Sequence, residues 1–482
     1  MNWLLGISLW LSFLGVYHSN KPLPVGIDTQ GTEIKLPADQ VDFLYDLTYQ
    51  DSTGAIQSQQ EIFDTVLSLI DDAQEYILMD MFLFNPWRGS VAAVHRDIST
   101  ELMQHLLDRK KALPNLCIDI ITDPINTAYA GSKAEILEQL QDGGINVIIT
   151  DLVPLRDSNP AYSAFWRTFI QWFGNSENGG LLPHPFSADS PKVTMRSYLR
   201  MLNFKANHRK ILLADSHGKP TAMVLSANPH DASSAHSNVG LLFRGPAAAD
   251  LYRSELGVAQ LSNRTLSPLP SWMNGYSDSS DTRSSVQIQL VTEKSIQRSG
   301  LDIIDGLLSG DRLDIAMFYL CEREIVNALA DAAGRGVEIR IVLDPNRDAF
   351  GYEKSGIPNR QVANELLNRT DNRIQIRWYA THGEQFHSKM ILATHADGRS
   401  SALLGSANLT RRNLENYNLE TDVRLNGESE LFVFTEMRNY YEEIWSNRNH
   451  RVYTVDYSEY ADDSRLKGWI YRFQEFTGMC TF

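Results

Sequence analysis

A short pattern of residues occurs twice in this chain, at corresponding positions in its two halves. Each copy has a histidine and a lysine separated by one residue, with a Ser-Ala-Asn segment downstream. Histidine and asparagine lie 20 residues apart in the first copy (208 to 228) and 21 in the second (387 to 408). The two copies consist of His208, Lys210, Ser226 and Asn228, and of His387, Lys389, Ser406 and Asn408. Among 12 histidines one His-x-Lys can arise by chance, but two with the same downstream partner indicate a duplicated unit.

The repetition includes the secondary structure predicted around these motifs. The paired strands are predicted at 76–83 and 313–320, which share Met-Phe, and at 118–122 and 339–343, which precede Asp123-Pro124 and Asp344-Pro345. Helices are predicted at 59–71, 100–110, 132–141, 322–333, 361–368 and 430–444. Short apolar runs that alternate with amphipathic stretches are typical of βαβ units and of a mostly parallel sheet covered on both faces. We therefore expect an α/β protein in which two similar α/β/α sandwich halves pack around one shared active site.

The repeat also predicts how the chain divides. The predicted segments are an apolar N-terminal segment (1–20), a tether (21–57), a first half (58–265), a linker (266–285) and a second half (286–482). Positions 123 and 208 are 85 residues apart, whereas 344 and 387 are only 43 apart, so the first half has an insert at about 155–197. Its aromatic residues have near-helical spacing, which fits either an extra helix on the core or an element that covers substrate or contacts lipid. These residues are Phe165, Trp166, Phe169, Trp172 and Phe173.

The N-terminal segment is almost wholly apolar from Trp3 to Tyr17. A membrane-spanning helix needs roughly 20 such residues, so the run is short for a span and suits the hydrophobic region of a signal sequence. We expect an uncleaved signal-anchor, with a cleaved signal peptide as the alternative. We therefore predict a membrane-associated protein, attached through its N-terminus and facing the periplasm or cell exterior. Lys21 is the one basic side chain near the segment that could set its orientation.

The amino-acid composition is typical of a folded protein and argues against nucleic acid as a partner. The chain has 482 residues, 43% of them hydrophobic and 21% charged, as in ordinary folded proteins. Its formal net charge of −15 argues against a broadly basic surface for nucleic acid, which makes nucleic acid an unlikely partner. Three distant cysteines, Cys117, Cys321 and Cys480, give neither a disulfide framework nor metal-ligand spacing. Cys117 and Cys321 are expected to be buried free thiols.

The duplicated residues fit phosphate chemistry. A phosphodiester is anionic, which repels nucleophiles, and its alkoxide is a poor leaving group. Lys210 and Lys389 would supply positive charge, while Ser and Asn of each Ser-Ala-Asn would donate hydrogen bonds to the phosphoryl oxygens. One histidine attacks phosphorus and the other protonates the departing oxygen, which gives a two-step reaction through a phosphohistidine. Since the two lysines neutralise the charge, we expect no metal and no cofactor.

At these residues the chain resembles the phospholipase D superfamily. The superfamily motif is His-x-Lys followed after four residues by Asp, and it fits His208, Lys210 and Asp215. The resemblance covers roughly residues 59–445 and implies a duplicated phospholipase D-like fold with His208 as nucleophile and His387 as general acid. Asp215 is then expected to support the site structurally rather than chemically.

The two copies depart from the family pattern at different places. The second has Thr394 at the Asp position, and the first has Leu225 where the second has Gly405 of Gly-Ser-x-Asn. Glu420 lies where the family often has an acid that orients the motif histidine, and its counterpart by sequence spacing is Gly240. If Glu420 orients His387, the roles of the two histidines could be reversed.

Three functions follow from the resemblance. The leading hypothesis is a phosphodiesterase or phosphatidyltransferase with phospholipid as substrate and a membrane surface as partner. The superfamily also contains nucleic-acid phosphodiesterases, and a continuous basic groove with stacking aromatics would favour that activity. The third hypothesis is a catalytically lapsed lipid-binding scaffold, which Thr394 and Gly240 suggest. Intramolecular pairing of the two halves is expected, whereas hydrolysis or transfer, the headgroup and the oligomeric state are not predicted.

Overall fold

The computed structural model describes residues 2–89, 95–187, 190–276, 284–349 and 352–479. Parts of the predicted insert (188–189) and linker (277–283), as well as Cys480, lie outside the described residues. The strands are β1 (Ile34–Pro37), β2 (Val41–Gln50), β3 (Ile56–Gln59), β4 (Tyr76–Met81), β5 (Cys117–Thr122), β6 (Asn146–Ile149), β7 (Lys210–Ser216), β8 (Lys219–Leu225), β9 (Asn238–Arg244), β10 (Ser285–Thr292), β11 (Arg312–Met317), β12 (Glu338–Leu343), β13 (Asp348–Ala349), β14 (Tyr352–Glu353), β15 (Gln375–Tyr379), β16 (Lys389–Thr394), β17 (Arg399–Gly405), β18 (Thr421–Glu428) and β19 (Thr454–Asp456). The helices are α1 (Asn2–Asn20), α2 (Ile62–Asp72), α3 (Ile98–Ala112), α4 (Glu135–Asp142), α5 (Pro160–Phe169), α6 (Met195–Met201), α7 (Ala248–Leu261), α8 (Ser271–Asn274), α9 (Lys294–Asp305), α10 (Arg323–Gly334), α11 (Asn359–Arg369), α12 (Arg411–Leu414), α13 (Phe432–Ser446) and α14 (Arg465–Thr477).

The predicted α/β fold with two similar halves is confirmed. The first sheet has the order β3-β2-β9-β8-β7-β4-β5-β6, and the second has the order β1-β10-β18-β17-β16-β11-β12-β15-β19. Seven strands correspond one to one, from β2 and β10 at one side to β6 and β15 at the other. In both sheets the strand that begins at the motif lysine, β7 or β16, lies beside the strand that ends at the methionine of Met-Phe, β4 or β11. The duplication seen in the motifs is therefore a duplication of the whole sheet.

The sheets are mixed, so the prediction of mostly parallel sheets is wrong. Within the described chain, parallel pairing joins β4, β5 and β6 in the first sheet and β11, β12 and β15 in the second. The neighbouring strands β7, β8 and β9 pair antiparallel, as do β16, β17 and β18. The turns from β7 to β8 and from β16 to β17 are too short for a crossover, and only antiparallel neighbours can be joined that way.

All six predicted helices are present, as α2, α3, α4, α10, α11 and α13, with ends shifted by a few residues. Their sequence signals are apolar faces that repeat at helical spacing and glycines at their ends. Gly144 after α4 and Gly336 after α10 have positive φ values of 81° and 90°, which glycine adopts without steric cost. Periodicity and end signals are local, which explains why they locate helices well.

The predicted tether at 21–57 does not exist as such, because most of it is folded into the two sheets. Strand β1 pairs antiparallel with β10 of the second sheet, and β2 pairs antiparallel with β9 of the first. Val41, Phe43 and Leu47 of β2 are buried in the core. The segment before position 58 therefore contributes an edge strand to one half and an interior strand to the other.

The helix α1 corrects the prediction for the N-terminus. Its apolar run is interrupted by Gly6, Ser8 and Ser12 and ends in polar residues. Within the described part of the chain, no helix combines the length and the apolar character that a membrane crossing requires. The predicted signal-anchor, and the localisation that was based on it, are therefore wrong. Instead α1 packs along α5 of the insert, and the carbonyl oxygen of His18 accepts a hydrogen bond from the Asp157 N–H at 3.0 Å.

One hydrophobic core runs from the first half into the second. Phe43 of β2 contacts Tyr440 of α13 edge to face, with ring centroids 5.5 Å apart. The Tyr379 hydroxyl, on β15, donates a hydrogen bond of 2.7 Å to the carbonyl oxygen of Thr48. Since these contacts are buried and join residues far apart in sequence, the halves are held in one fixed arrangement.

Candidate active site

Each motif histidine is held by the opposite half of the molecule. The His208 N–H donates to the carbonyl oxygen of Leu419 at 2.9 Å, and the His387 N–H donates to that of Ser237 at 2.8 Å. Both histidines immediately precede the strands that begin at Lys210 and Lys389. The two halves therefore meet at the motif residues themselves.

The side chains of the two histidines also have partners from the opposite half. His208 Nδ1 lies 2.9 Å from Glu420 Oε2. His387 Nδ1 lies 2.9 Å from the carbonyl oxygen of Ser226 and 3.3 Å from Asn238 Oδ1. A carbonyl oxygen and an ionised carboxylate can only accept, so each Nδ1 carries a hydrogen and each Nε2 is left for substrate. The expectation that Glu420 orients His387 is wrong, because Glu420 follows Leu419, the residue that binds His208.

Asn238 occupies the position in the first half that Glu420 occupies in the second. The Ser226 hydroxyl donates to Asn238 Oδ1 at 3.0 Å, and the Ser406 hydroxyl donates to Glu420 Oε2 at 2.6 Å. The same hydroxyls accept hydrogen bonds from the backbone N–H groups of Val239 and Thr421, the residues that follow Asn238 and Glu420. The counterpart of Glu420 is therefore Asn238 and not Gly240. Sequence spacing misaligns them because the loop from 228 to 238 is two residues shorter than the loop from 408 to 420.

The lysines have matching surroundings in the two halves. Lys210 Nζ donates to the carbonyl oxygen of His208 at 2.6 Å, and Lys389 Nζ donates to that of His387 at 2.7 Å. Each ammonium group also lies 5.2 Å from the centre of a phenylalanine ring, Phe82 or Phe318. These rings contact the motif histidines as well, with centroids 4.8 Å and 5.0 Å apart.

The two phenylalanines are site residues that sequence reasoning did not identify. Their signal was present, because Phe82 and Phe318 are the second residues of the Met-Phe pair that both predicted strands share. By itself the shared Met-Phe pair indicates only that the two halves are duplicated. In the structure each ring lies within cation–π distance of a motif lysine and beside the histidine of the same motif.

Burial and mutual repulsion shape the charges of this site. Burial, with a contribution from the Lys210 and Lys389 charges, lowers the pKa of His208 to about 4, although Glu420 acts against it. Burial lowers the pKa of Lys210 to about 7 and holds the pKa of Lys389 well below its ordinary value, where Lys210 adds to the effect. The pKa of His387 is likewise well below its ordinary value, through burial and the nearby lysines. Since charges of one half act on groups of the other, the four motif side chains form one site that favours an anion.

Glu420 remains ionised within this cluster. Burial alone would raise its pKa, but His208, Lys210 and the Ser406 hydroxyl outweigh burial and keep the pKa of Glu420 below its ordinary value. Its second oxygen accepts a hydrogen bond from the Asn413 side chain. A carboxylate with three donors cannot rotate away from His208 Nδ1.

The four predicted substrate-binding residues divide into two kinds. The hydroxyls of Ser226 and Ser406 are engaged with Asn238 and Glu420, so they hold the supports of the histidines. Asn228 Oδ1 accepts the Leu83 N–H at 3.3 Å, and among the described residues no hydrogen bond engages its NH₂ group. Asn408 is buried at the corresponding place in the second half. The asparagine amides, rather than the serine hydroxyls, are thus the neutral donors left for a ligand.

Asp215 does not reach this site. It lies at the far end of β7, where its carboxylate accepts the N–H groups of Gln74, Glu75 and Tyr76 at 2.9–3.2 Å. Thr394 has the corresponding place on β16, and there Asp311 on the adjoining loop accepts N–H groups instead, from positions 308 and 396. Asp311 therefore holds the loop before β11 in the second half, where Asp215 of β7 holds the segment before β4 in the first.

Two further aspartates fix the backbone before each histidine. Asp123 Oδ2 accepts the Asn207 N–H at 2.7 Å, and Asp344 Oδ2 accepts the Phe386 N–H at 2.8 Å. In the sequence these aspartates stand out only as the residues that directly follow two buried strands, and nothing local indicates this contact. His236 also lies beside the site, with its ring centroid 5.8 Å from that of His387.

The insert is tied to the segment that leads into the first motif. Arg167 of α5 binds Asp157 through two hydrogen bonds of 2.8 Å, and Lys205 lies 2.5 Å from the same carboxylate. Trp166 packs inward, whereas the side chains that face outward include Trp172 and Phe173, which are 75% and 70% exposed. One face of the insert therefore packs on the core, as the first alternative predicts, and the other presents aromatic side chains to the surroundings. Contact of that face with substrate or lipid stays a prediction.

Comparisons with known proteins find one family model that matches part of the second half, and a shared fold over nearly the whole chain. The family model "Cardiolipin synthase, PLD-like domain" matches residues 304–445, which contain the second motif. The structure resembles phosphatidylserine synthase from Haemophilus influenzae Rd KW20, with a TM-score of 0.58, 12% identity and coverage of 97% of this chain and 98% of that one. At that identity the likeness shows a shared fold.

Two other solved structures align less well. Polyphosphate kinase from Porphyromonas gingivalis aligns with a TM-score of 0.44 and 13% identity, over 90% of this chain and 53% of that one. The phospholipase D family member Nuc from Salmonella typhimurium aligns with a TM-score of 0.26 and 20% identity, over 33% of this chain and 95% of that one. No curated protein matches by sequence.

Proposed function

We propose that this chain is a member of the phospholipase D superfamily, and that it breaks a phosphodiester bond of phospholipids and passes the phosphatidyl group to water or to an alcohol. The observation that supports this proposal is the cross-binding of His208 and His387, each held by the half that carries the other. That arrangement gives one site with two imidazoles, two lysines and two amide groups. The family model and the phosphatidylserine synthase fold favour a phospholipid as substrate.

His208 is the nucleophile in this proposal. Its Nδ1–H is donated to Glu420, so the lone pair of Nε2 attacks phosphorus and a P–N bond forms. The imidazole becomes cationic in that step, and the Glu420 carboxylate stabilises the positive charge. Its low pKa keeps His208 neutral, and therefore nucleophilic, at neutral pH.

His387 is the acid and then the base. In the substrate complex His387 carries a second proton on Nε2, and the anionic phosphoryl group beside it stabilises that imidazolium. This Nε2–H proton passes to the departing alkoxide oxygen while the P–O bond breaks, which leaves the imidazole neutral. In the second step the neutral Nε2 takes a proton from water or an alcohol, the oxygen of that molecule attacks phosphorus, and the P–N bond to His208 breaks. Lys210 and Lys389 neutralise the charge on the phosphoryl oxygens in both steps. Hydrolysis and transfer thus differ only in the second acceptor.

The predicted membrane-surface partner remains part of this proposal. A phospholipid is presented at a lipid–water interface, and aromatic side chains suit that boundary. The exposed aromatic residues of the insert support the prediction, because the insert leads through Lys205 directly into the first motif.

The test uses the full chain with vesicles of phosphatidylglycerol or phosphatidylcholine and, separately, single-stranded DNA. Wild-type protein is expected to release the headgroup or form a transfer product from lipid. His208→Ala and His387→Asn should each lower kcat by a factor of about 10² or more, because each removes one chemical role. His217→Ala is the matched control, since this histidine lies on the β7–β8 turn with its side chain 83% exposed.

Other outcomes would contradict the proposal. Cleavage of DNA with lipids untouched would assign the same chemistry to nucleic acid. Binding of vesicles without turnover would favour a lapsed scaffold.

A further inference from the structure

We propose that Asn238 is the residue that makes the two histidines unequal: it places a neutral amide beside His387 where the other half places a carboxylate beside His208. This assignment reserves His387 for proton transfer and leaves His208 as the nucleophile. It rests on the proposed phosphohistidine reaction and adds the residue that fixes the order of roles within it. Asn238 is a positioning residue in this view, since it acts through His387.

The two supports share two contacts and differ in charge. Asn238 Oδ1 and Glu420 Oε2 each accept a serine hydroxyl, and each lies within 3.3 Å of a histidine Nδ1. Asn238 is 4% exposed and Glu420 is fully buried. The side-chain amide nitrogen of Asn238 donates to the carbonyl oxygen of His236 at 3.0 Å, which directs Oδ1 toward His387. An aspartate at position 238 would keep the Ser226 hydroxyl as donor but lose the hydrogen bond to the His236 carbonyl oxygen.

The difference in charge separates the two reactions that the histidines must perform. A carboxylate beside Nδ1 stabilises a cationic imidazole more than a neutral acceptor does. His208 is cationic in the covalent intermediate, so Glu420 favours bonding of phosphorus there. His387 must release its proton during the same step, and neutral acceptors at Nδ1 make it the stronger acid. With a carboxylate on both sides, either imidazole could carry phosphorus.

The other charges around His387 are mostly cationic. The titratable groups that act on it are Lys389 of its own strand, Lys210 and His208 at the edge of β7, and His236 on the loop before β9. Asp344 reaches the backbone N–H of Phe386, next to His387, rather than the imidazole. Glu420 and Asp422 of the β18 side act on Lys389. A new carboxylate at position 238 would therefore be the one placed against His387 Nδ1.

The first test is the pH profile of Asn238→Asp. The acid must be protonated to act, so kcat falls as pH rises through the pKa of His387 in the substrate complex. A carboxylate at 238 raises that pKa, and the falling limb should move to higher pH by about one unit. Asn238→Ala removes the acceptor without adding charge and should lower kcat without moving the limb upward. Asn418→Asp is the matched control, because Asn418 accepts the Ala206 N–H and contacts neither histidine.

The second test locates the covalent phosphorus. Wild-type enzyme is quenched with labelled phospholipid, and the phosphohistidine peptide is identified by mass spectrometry. We expect label on His208 in the wild type and on His387 in the exchange variant Asn238→Glu/Glu420→Gln. If the exchange variant does not fold, the distribution of label in Asn238→Asp between the two peptides takes its place, with label expected on both.

The outcomes separate this inference from the function on which it rests. Wild-type label on neither histidine would overturn the phosphohistidine reaction itself. Label on His208 in every variant, with the pH limb of Asn238→Asp unmoved, would leave that reaction intact and overturn the role of Asn238.

Discussion

Lys210 and Lys389 are buried in one site, where their positive charges repel each other and the two histidines. Burying a charge without a partner is costly, so the free site is poised to accept an anion. The two asparagine amides add neutral donors. An anionic phosphoryl group would satisfy all of these groups together, which explains why they are assembled here.

We predict that a phosphate-like anion binds this site more tightly at pH 6 than at pH 8. The pKa of Lys210 is lowered to about 7, so its positive charge is lost as pH rises through that value. The check is the shift of the thermal unfolding midpoint with inorganic tungstate at both pH values. Lys210→Gln should abolish most of the shift, whereas Lys219→Gln, at the far end of the β7–β8 pair, should retain it. An equal shift at both pH values would contradict the prediction.

Next to each Ser-Ala-Asn segment, one cross-strand pair contains a glycine, but the glycine lies on a different strand of the pair in each half. In the first half Leu225 faces Gly240, and in the second Gly405 faces Asp422. A Cβ at Gly240 would lie 2.8 Å from the Leu225 side chain, and one at Gly405 would collide with Asp422 and the Thr421 carbonyl. The departures that the sequence shows at Leu225 and Gly240 are thus one paired change that keeps the space between β8 and β9 filled.

Gly405→Ala is expected to destabilise the protein by about 1–3 kcal/mol and to lower kcat. The added methyl group has no space, and relief would shift Ser406 and with it Glu420. Gly468→Ala is the matched control: nothing lies within 4 Å of a Cβ there, and alanine is the better residue inside α14. Urea denaturation gives the free energies of unfolding, and a Gly405→Ala protein with wild-type stability would contradict the prediction.

The two halves are joined at the site by a buried ion cluster. Arg209, between the motif histidine and lysine, binds Glu255 at 2.9 Å and Glu293 at 2.7 Å, and all three side chains are fully buried. Glu293 belongs to the second half and also accepts the Glu420 N–H at 3.1 Å. The cluster therefore connects the first motif to the carboxylate that supports His208.

Arg209→Met should cost about 3–5 kcal/mol of unfolding free energy, because it leaves two buried carboxylates without their cation. Arg244→Met is the control: Arg244 binds Asp42 at 2.7 Å on the surface, where both side chains are about one-third exposed, and about 1 kcal/mol or less is expected. Guanidinium denaturation of the three proteins makes the comparison. Equal losses for both variants would mean that the buried cluster does not hold the halves together.

Local signals in the sequence predicted the duplication, the α/β class, the six helices and the two His-x-Lys pairs. Each depends on residues close together in the chain: apolar periodicity, end glycines and a motif of a few residues. The same signals failed at β2, whose alternating apolar residues were interpreted as part of a tether because its partner strand lies about 200 residues away. They also failed at α1, where an apolar run suggested a membrane anchor.

What tertiary structure alone decided is how the two halves meet. The pairing of Glu420 with His208, and of Asn238 with His387, joins residues more than 140 positions apart. Because the loops differ in length, sequence spacing pairs Glu420 with Gly240. The hydrogen bonds of Asn238 to Ser226 and His387 identify Asn238 as the counterpart of Glu420. The sequence by itself determined which chemical groups are present twice. Which of them face each other depends on packing between distant segments, and no local pattern encodes that.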